Sequence, residues 1–115
     1  MGGYKVARLA EDIKRELSVL VRDLKDPRIK GKMLSFVRVE VTNDQSFAKV
    51  YVSSMEGMEA AKEAVEGLKS ASGFVKRELS NTLHMRKCPD IKFIPDDSIE
   101  YSAHLNKLLL DIETE

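Results

Sequence analysis

A run of four small residues, Ser70-Ala71-Ser72-Gly73, interrupts a helical pattern in the middle of the chain and constrains the fold more than any other feature. Apolar residues recur at spacings of three and four on both sides of the run, but the two stripes are out of register. Serine competes for backbone hydrogen bonds, and glycine costs about 1 kcal/mol in a helix interior. The sequence therefore predicts helices over residues 58–69 and 74–84 that meet at a kink formed by Ala71, Ser72 and Gly73.

Hydrophobic periodicity predicts three elements before the kink. An unbroken stripe of apolar residues at helical spacing predicts a first helix over residues 4–25. Asp26-Pro27 ends this helix, because the residue before a proline avoids the helical region. Alternating apolar and polar residues then predict a hairpin of two strands, over residues 34–42 and 47–53.

Two further elements are predicted after the kink. Ile91 and Phe93 mark a third short strand, and Asp97 with Glu100 resembles a capping box that opens a final helix. The order is α-β-β-α-kink-α-β-α. A chain of 115 residues is long enough for one core, so we expect a single domain over residues 1–115.

Composition limits where the protein works. The single cysteine, Cys88, has no internal partner for a disulfide, which is typical of a protein in the reducing cytoplasm. No apolar run approaches the roughly 20 residues of a membrane span, and the N-terminus has no apolar signal core. The sequence therefore predicts a cytoplasmic protein with no membrane partner. It gives no sign of oligomerisation, so we expect a monomer.

Charge is balanced overall but segregated along the chain. Nineteen basic and nineteen acidic residues cancel, yet residues 1–39 are net +5 and residues 76–92 are net +3. Residues 40–66 are net −4 and residues 93–115 are net −5. A folded domain can therefore present one basic face and one acidic face. The alternative is that the charges only solvate the surface.

The first helix carries the most regular set of cations. Arg8, Arg15 and Arg22 lie seven residues apart, on a line opposite the apolar stripe, and Lys25 lies nearer the core. The planar guanidinium group donates two parallel hydrogen bonds to phosphate. Three arginines would follow a nucleic-acid backbone over about 20 Å. The alternative is a solvated helix face with pairs such as Glu11-Arg15.

Two connecting segments and the helix after the kink add further cations. Arg28, Lys30 and Lys32 lie on the connector after the first helix, with Gly31 as its flexible point. We expect these side chains to adapt to irregular phosphate positions, or else to be an ordinary exposed turn. The third group lies after the kink and comprises Lys76, Arg77, Arg86 and Lys87.

Gly73 has two interpretations. The absent side chain lets a phosphate approach the free N–H groups at the start of the helix that follows the kink. Alternatively, the glycine only lets two helices pack closely. Neither the sequence pattern nor the charge pattern decides between them.

The hairpin has a second face opposite its valines. Strict alternation puts Phe36 and Arg38 on this face of the first strand, and Phe47 and Tyr51 on the same face of the second. Such aromatics could form a platform on which bases stack. Aromatic residues are only 6% of the chain, so we expect phosphate contact and shape to dominate recognition.

The sequence lacks the combinations of residues that catalysis or metal binding requires. His84, His104 and Cys88 lack the spacing of a metal site, for which zinc needs about four ligands. Asp96-Asp97 precedes Ser98 and is better explained as helix capping. No nucleophile has an attendant base, and no phosphate-binding loop occurs. The sequence therefore predicts a protein that is not an enzyme and has no metal site or small-molecule substrate.

Several strings, in this order and spacing, resemble the bacterial ribosome-binding factor A family over nearly the whole chain. No single string is specific. They are Arg15-Glu16-Leu17, Asp26-Pro27-Arg28, Val37-Arg38-Val39-Glu40-Val41-Thr42-Asn43-Asp44, Ala48-Lys49-Val50-Tyr51-Val52-Ser53, Ala71-Ser72-Gly73, Met85-Arg86-Lys87 with Pro89, Ile91 and Phe93, and Asp96-Asp97-Ser98-Ile99.

The resemblance implies a fold and a function. The fold is a single KH-like α+β domain of type II topology, with a three-stranded sheet and its helices packed on one face. The function is binding to the free 30S subunit and its 16S rRNA as a late assembly factor that assists 16S rRNA processing and favours growth in the cold. The chain departs from ordinary KH domains because it has no Gly-x-x-Gly clamp for nucleic-acid backbone. It also stops just after the predicted last helix, where some relatives have a tail.

Two functions therefore remain open at this point. The first is RNA binding through twelve cations, and the second is a protein-interaction module whose acidic C-terminal helix docks on a basic ribosomal protein. The predicted RNA-binding residues are Arg8, Arg15, Arg22, Lys25, Arg28, Lys30, Lys32, Arg38, Lys76, Arg77, Arg86 and Lys87.

Overall fold

The computed structural model describes residues 2–97, with side chains from Lys5 onward. The predicted final helix, with its acidic residues, lies outside the described residues. The elements are α1 (Gly2–Leu20), a 3₁₀ turn (Val21–Asp23), β1 (Leu34–Val41), β2 (Phe47–Ser54), α2 (Met58–Ser70), α3 (Ser72–Thr82) and β3 (Asp90–Pro95). The predicted order is confirmed as far as β3.

The first helix forms because its apolar residues fall on one stripe. Ile13 and Leu17 on this stripe are buried in the core. The α-helix ends at Leu20 and tightens into the 3₁₀ turn, after which Leu24 has an extended backbone with ψ of 128°. The helix is therefore shorter than predicted. A 3₁₀ turn is a common way to end an α-helix, and Pro27 excludes its continuation.

The sheet has strand order β1-β2-β3, with β1 antiparallel to β2 and β2 parallel to β3. The parallel pair needs a crossover, which α2 and α3 provide. Alternate residues of β2, including Val50 and Val52, point into one core with Phe93 of β3. The apolar stripes of all three helices join the same core. Within residues 2–97 the helices therefore pack on one face of a mixed sheet, as predicted.

A β-bulge in β1 overturns part of the predicted strand pattern. Phe36 pairs with Val52 and Arg38 pairs with Tyr51, so Val37 is an extra residue without an opposite partner. Strict alternation placed Phe36 on the open face, but the structure buries it in the core. Each extra residue shifts the inward and outward pattern by one, and a bulge is not visible in the local sequence.

The two central helices meet at a break, as predicted, but the break is at Ala71 alone, because α3 already begins at Ser72 and includes Gly73. Ala71 separates α2 from α3 with φ of −95° and ψ of 10°, and the Ser72 hydroxyl donates to the Lys69 carbonyl at 2.7 Å. The glycine at which the connector closely approaches a helix is Gly67 in α2, not Gly73. A Cβ on Gly67 would lie 2.9 Å from Cγ1 of Ile29, whereas a Cβ on Gly73 would meet nothing within 4 Å. Close helix packing is therefore not the reason for a glycine at position 73.

Candidate nucleic-acid interface

The arginines of the first helix differ in their surroundings. Arg8 and Arg22 are exposed and have no acidic partner among the described residues. Arg15 lies 3.1 Å from Asp12 and 3.8 Å from Glu16, rather than pairing with Glu11 as the alternative interpretation supposed. Arg22 belongs to the 3₁₀ turn. Because that turn has about 3.0 residues rather than 3.6, Arg22 departs from the line that an uninterrupted α-helix would draw.

The connector between α1 and β1 is tied to the helical layer. Two Arg28 nitrogens donate to the Asp26 carboxylate, at 2.7 Å and 3.0 Å, and one also donates to the Ser70 hydroxyl at 3.1 Å. Ile29 is buried against Gly67, which leaves room for it because it has no side chain. These contacts hold the Arg28 and Ile29 part of the connector against α2.

Lys32 is bound to α2 although it lies in the connector. Its ammonium group donates to the Glu63 carboxylate and to the Arg28 carbonyl, both at 2.7 Å, and its side chain is only 15% exposed. Glu63 is 31 residues away from Lys32 in the chain, so no local sequence pattern indicates this pair. Lys30 is exposed and has no acidic partner among the described residues. Lys25, just before the connector, is also exposed and unpaired there.

These ion pairs shift the pKa values of the connector residues and of Glu63. Hydrogen bonds from the Arg28 side chain and backbone lower the pKa of Asp26 to about 2. The hydrogen bond from Lys32 likewise lowers the pKa of Glu63, and the bond to Asp26 raises the pKa of Arg28. All these shifts favour the charged forms, so the connector pairs stay ionised at neutral pH.

The cations after the kink are also divided between paired and unpaired side chains. Lys76 in α3 lies 2.5 Å from the Asp90 carboxylate at the start of β3. Arg77, Arg86 and Lys87 are exposed and form no direct ion pair within the described part of the chain, although the charge of Lys87 helps to lower the pKa of Asp90. The loop that carries Arg86 and Lys87 is itself fixed.

Two buried residues anchor that loop. Cys88 and Pro89, which follow the basic pair directly, are both buried. Burial also raises the pKa of the Cys88 thiol, so this cysteine is a packing residue rather than a reactive one. Upstream, His84 has a positive φ of 54°, which turns the chain out of α3. Arg86 and Lys87 are therefore exposed on a backbone that their buried neighbours hold in place.

The open face of the sheet is basic and partly aromatic. Arg38 lies 4.4 Å from the centre of the Tyr51 ring and 2.9 Å from Glu40, and Phe47 is 57% exposed. Of the three aromatics predicted there, Phe36 is excluded by the bulge. Tyr51 is half-buried beneath Arg38, so Phe47 is the most accessible ring.

Sequence reasoning missed two cations on this open face. Lys49 and Lys92 are directly opposite each other on β2 and β3, and both are exposed. Strand alternation alone assigns each lysine to the outward face of its own strand. Only the parallel pairing of β2 with β3 brings them together, and no local pattern reveals that pairing.

Seven of the twelve predicted cations have no acidic partner among residues 5–97, and the other five are paired. The unpaired ones come from α1, its 3₁₀ turn, the connector, α3 and the loop before β3. They are Arg8, Arg22, Lys25, Lys30, Arg77, Arg86 and Lys87; the paired ones are Arg15, Arg28, Lys32, Arg38 and Lys76.

The described residues offer neither a metal site nor a membrane-spanning helix. Among residues 2–97, no group of three or more His, Cys, Asp or Glu side chains is placed to hold a metal ion. No helix within the described residues combines the length and apolar character that crossing a membrane requires.

A helical layer on a three-stranded mixed sheet, with many unpaired surface cations, defines the class of protein: a small α+β binding domain. The chain belongs to the ribosome-binding factor A family, because the model of that family, described as Ribosome-binding factor A, matches residues 5–109. The chain is 44% identical over 110 residues to Ribosome-binding factor A from Clostridium tetani, covering 95% of this chain and 90% of that protein.

Solved structures give the same result. A solution NMR structure of a Thermotoga maritima putative ribosome binding factor A superposes with a TM-score of 0.71 and 36% identity, covering 79% of this chain and 86% of that one. A homology model of Thermus thermophilus ribosome binding factor A, as fitted into the cryo-EM map of a 30S–RbfA complex, matches with a TM-score of 0.56 and 27% identity. That match covers 77% of this chain and 88% of the other.

Proposed function

We propose that this protein binds the free 30S ribosomal subunit and its 16S rRNA in the cytoplasm as a late assembly factor and assists processing of the 16S rRNA. It acts as a monomer without catalytic activity or a cofactor. The observation that carries the proposal is the set of seven exposed cations without acidic partners, in a family whose Thermus thermophilus member was fitted into a map of a 30S complex.

The cations support binding to the phosphate backbone of RNA. Arginine and lysine without acidic neighbours do not have to break an ion pair before they contact a phosphate. They come from several elements: α1, its 3₁₀ turn, the connector, α3 and the loop before β3. That distribution suits a folded ribosomal surface better than a short base sequence, because phosphate contacts position a protein without reading sequence.

Assistance to processing follows from selective binding. A protein can shift an rRNA equilibrium only toward the arrangement that it binds more tightly. We therefore propose that it favours one arrangement of the rRNA near the processed ends, and leaves when the mature site forms. Cells lacking the protein would accumulate 16S rRNA with unprocessed ends, most strongly in the cold.

Sedimentation with purified ribosomal particles tests the binding. The protein should co-sediment with free 30S subunits but much less with 70S ribosomes, and raising the salt should weaken binding log-linearly. The Arg8→Glu/Arg22→Glu variant should lose binding while keeping its circular dichroism spectrum.

A matched variant controls for charge alone. Lys62→Glu/Lys69→Glu makes the same charge change on α2, where the two lysines already lie 3.5 Å from Glu59 and Glu66. It should bind nearly as well as the parent. Equal loss in both variants would mean that only net charge matters, and unchanged binding of the first variant would refute a role for α1.

A further inference from the structure

One concavity on the described surface differs from the others in its charge. It lies between the end of α1 and the connector, and has a volume of about 380 Å³, within the usual size of small-ligand pockets. The lining includes three cations and no carboxylate. The three cations are Arg22, Lys30 and Lys32.

Three other concavities contain acidic side chains. The one on the α3 side of α1 is lined by Glu16, Asp23 and Glu78. The one beside α2 contains Glu59, Glu63 and Glu66, and the one on the hairpin contains Glu40. A polyanion would be repelled from the first two at least. Compared with these three, the groove lined by Arg22, Lys30 and Lys32 has the charge that complements RNA.

The floor of the groove is apolar and held in place. Ile29 is buried, and Val21, Leu24 and Leu34 pack partly against the core. Met33 stands at the rim with 70% of its surface exposed. This arrangement presents an apolar surface to a ligand while the cations stay at its edge.

The backbone of Met33 is fixed on both sides. Its N–H donates to the Glu56 carboxylate at 3.0 Å, and its carbonyl accepts from the Met55 N–H at 3.1 Å. Met33 therefore presents a large apolar side chain to solvent from a backbone that is held in place. Methionine also adapts its shape to irregular partners.

We propose that this groove receives one unpaired nucleotide of RNA, whose base lies against Met33 and the apolar floor while its phosphates contact Arg22 and Lys30. Lys32 is engaged by Glu63 and positions the connector instead. An unstacked base needs an apolar surface, and its flanking phosphates need cations, which the groove supplies together. The inference rests on the proposed RNA-binding function and adds a preference for RNA that is not fully paired.

Two RNA hairpins test this preference. They are identical except for a single bulged 2-aminopurine in one of them. The parent protein should bind the bulged hairpin about tenfold more tightly than the paired one, as loss of one buried apolar contact in RNA binding would predict. The fluorescence of the bulged base should rise on binding, because no aromatic residue lines the groove to quench it.

Variants separate contact with the base from contact with phosphates. Met33→Ala should remove the preference for the bulged hairpin and leave the salt dependence unchanged. Met55→Ala is the matched control, since Met55 is 57% exposed but does not line the groove. Arg22→Gln/Lys30→Gln should weaken binding to both hairpins and reduce the salt slope by about 2.

The possible results distinguish the groove from the wider proposal. Equal, salt-dependent binding of both hairpins by the parent would overturn the groove and leave RNA binding intact. No binding of either hairpin or of 30S subunits would overturn the proposed function as well. If Met33→Ala weakened binding to 30S subunits but not to the bulged hairpin, the groove would hold a protein segment, and the nucleotide assignment would be wrong.

Discussion

The two basic connecting segments of this protein have similar composition but use their cations differently. In the connector between α1 and β1, Arg28 and Lys32 are bound to Asp26 and Glu63. In the loop between α3 and β3, Arg86 and Lys87 have no acidic partner among the described residues, and buried neighbours hold the backbone. Cations can therefore hold a loop in place or remain available to a ligand, and their number alone does not tell which.

The largest expected effect concerns the contact that anchors the connector. Gly67→Val should destabilise the protein by about 2–3 kcal/mol, because even a Cβ would lie 2.9 Å from Ile29. Urea unfolding measures this. Gly73→Ala is the control: with open space around it, we expect stabilisation by about 0.5 kcal/mol from helix propensity. Equal effects of the two changes would mean that the contact does not anchor the connector.

Arg86 and Lys87 in the loop between α3 and β3 should contribute to binding and not to stability. Arg86→Gln/Lys87→Gln should weaken binding to 30S subunits about tenfold, because two phosphate contacts are lost, and should leave the melting temperature unchanged. Co-sedimentation at several salt concentrations measures both the affinity and its salt slope. Lys62→Gln/Lys69→Gln on α2 loses the same charge and should bind almost normally. Equal binding of the two variants would mean that Arg86 and Lys87 do not contact the subunit.

The cations of the connector should show the opposite behaviour. Arg28→Gln should lower the melting temperature by a few degrees, because it removes hydrogen bonds to Asp26 and to Ser70. Arg22→Gln, at an exposed and unpaired position, should leave the melting temperature nearly unchanged. Thermal unfolding followed by circular dichroism decides this. A larger loss for Arg22→Gln would show that the pairing is of no structural value.

The smallest effect is a pH dependence. The pKa of Asp26 is about 2 in the folded protein, below its ordinary value of 3.8. The ionised Asp26 carboxylate therefore contributes fully to stability above about pH 4, and this contribution is lost as the pH falls toward 2. Asp26→Asn should give a shallower loss of stability over this range in acid unfolding curves. An unchanged slope would mean that the pair with Arg28 does not persist in solution.

Local signals in the sequence were enough for most of the fold. Helical spacing, Asp26-Pro27 and the small-residue run located the helices and the kink, because each signal acts on neighbouring backbone. The bulge at Val37 was not predictable, since it depends on how β1 packs across the sheet. Its consequence, the burial of Phe36, was missed for the same reason.

The candidate site was less predictable than the fold. The sequence identifies cations, but the pairing of Lys32 with Glu63 joins residues 31 positions apart. Likewise, Lys49 and Lys92 come together only through the parallel strand pair. The groove at Met33 depends on where the connector folds back, which Ile29 and Gly67 decide. Contacts between residues that are distant in the chain produce no periodic pattern in the sequence, so they could not be predicted from it.

The bulge at Val37 has a consequence for behaviour at high concentration. β1 and β3 are the outer strands of the described sheet, and an outer strand with a regular backbone can pair with another molecule and start aggregation. Val37 disrupts the regular spacing of donors and acceptors along β1, and Pro95 removes a donor at the end of β3. Both outer strands are thus poor templates for intermolecular β-pairing.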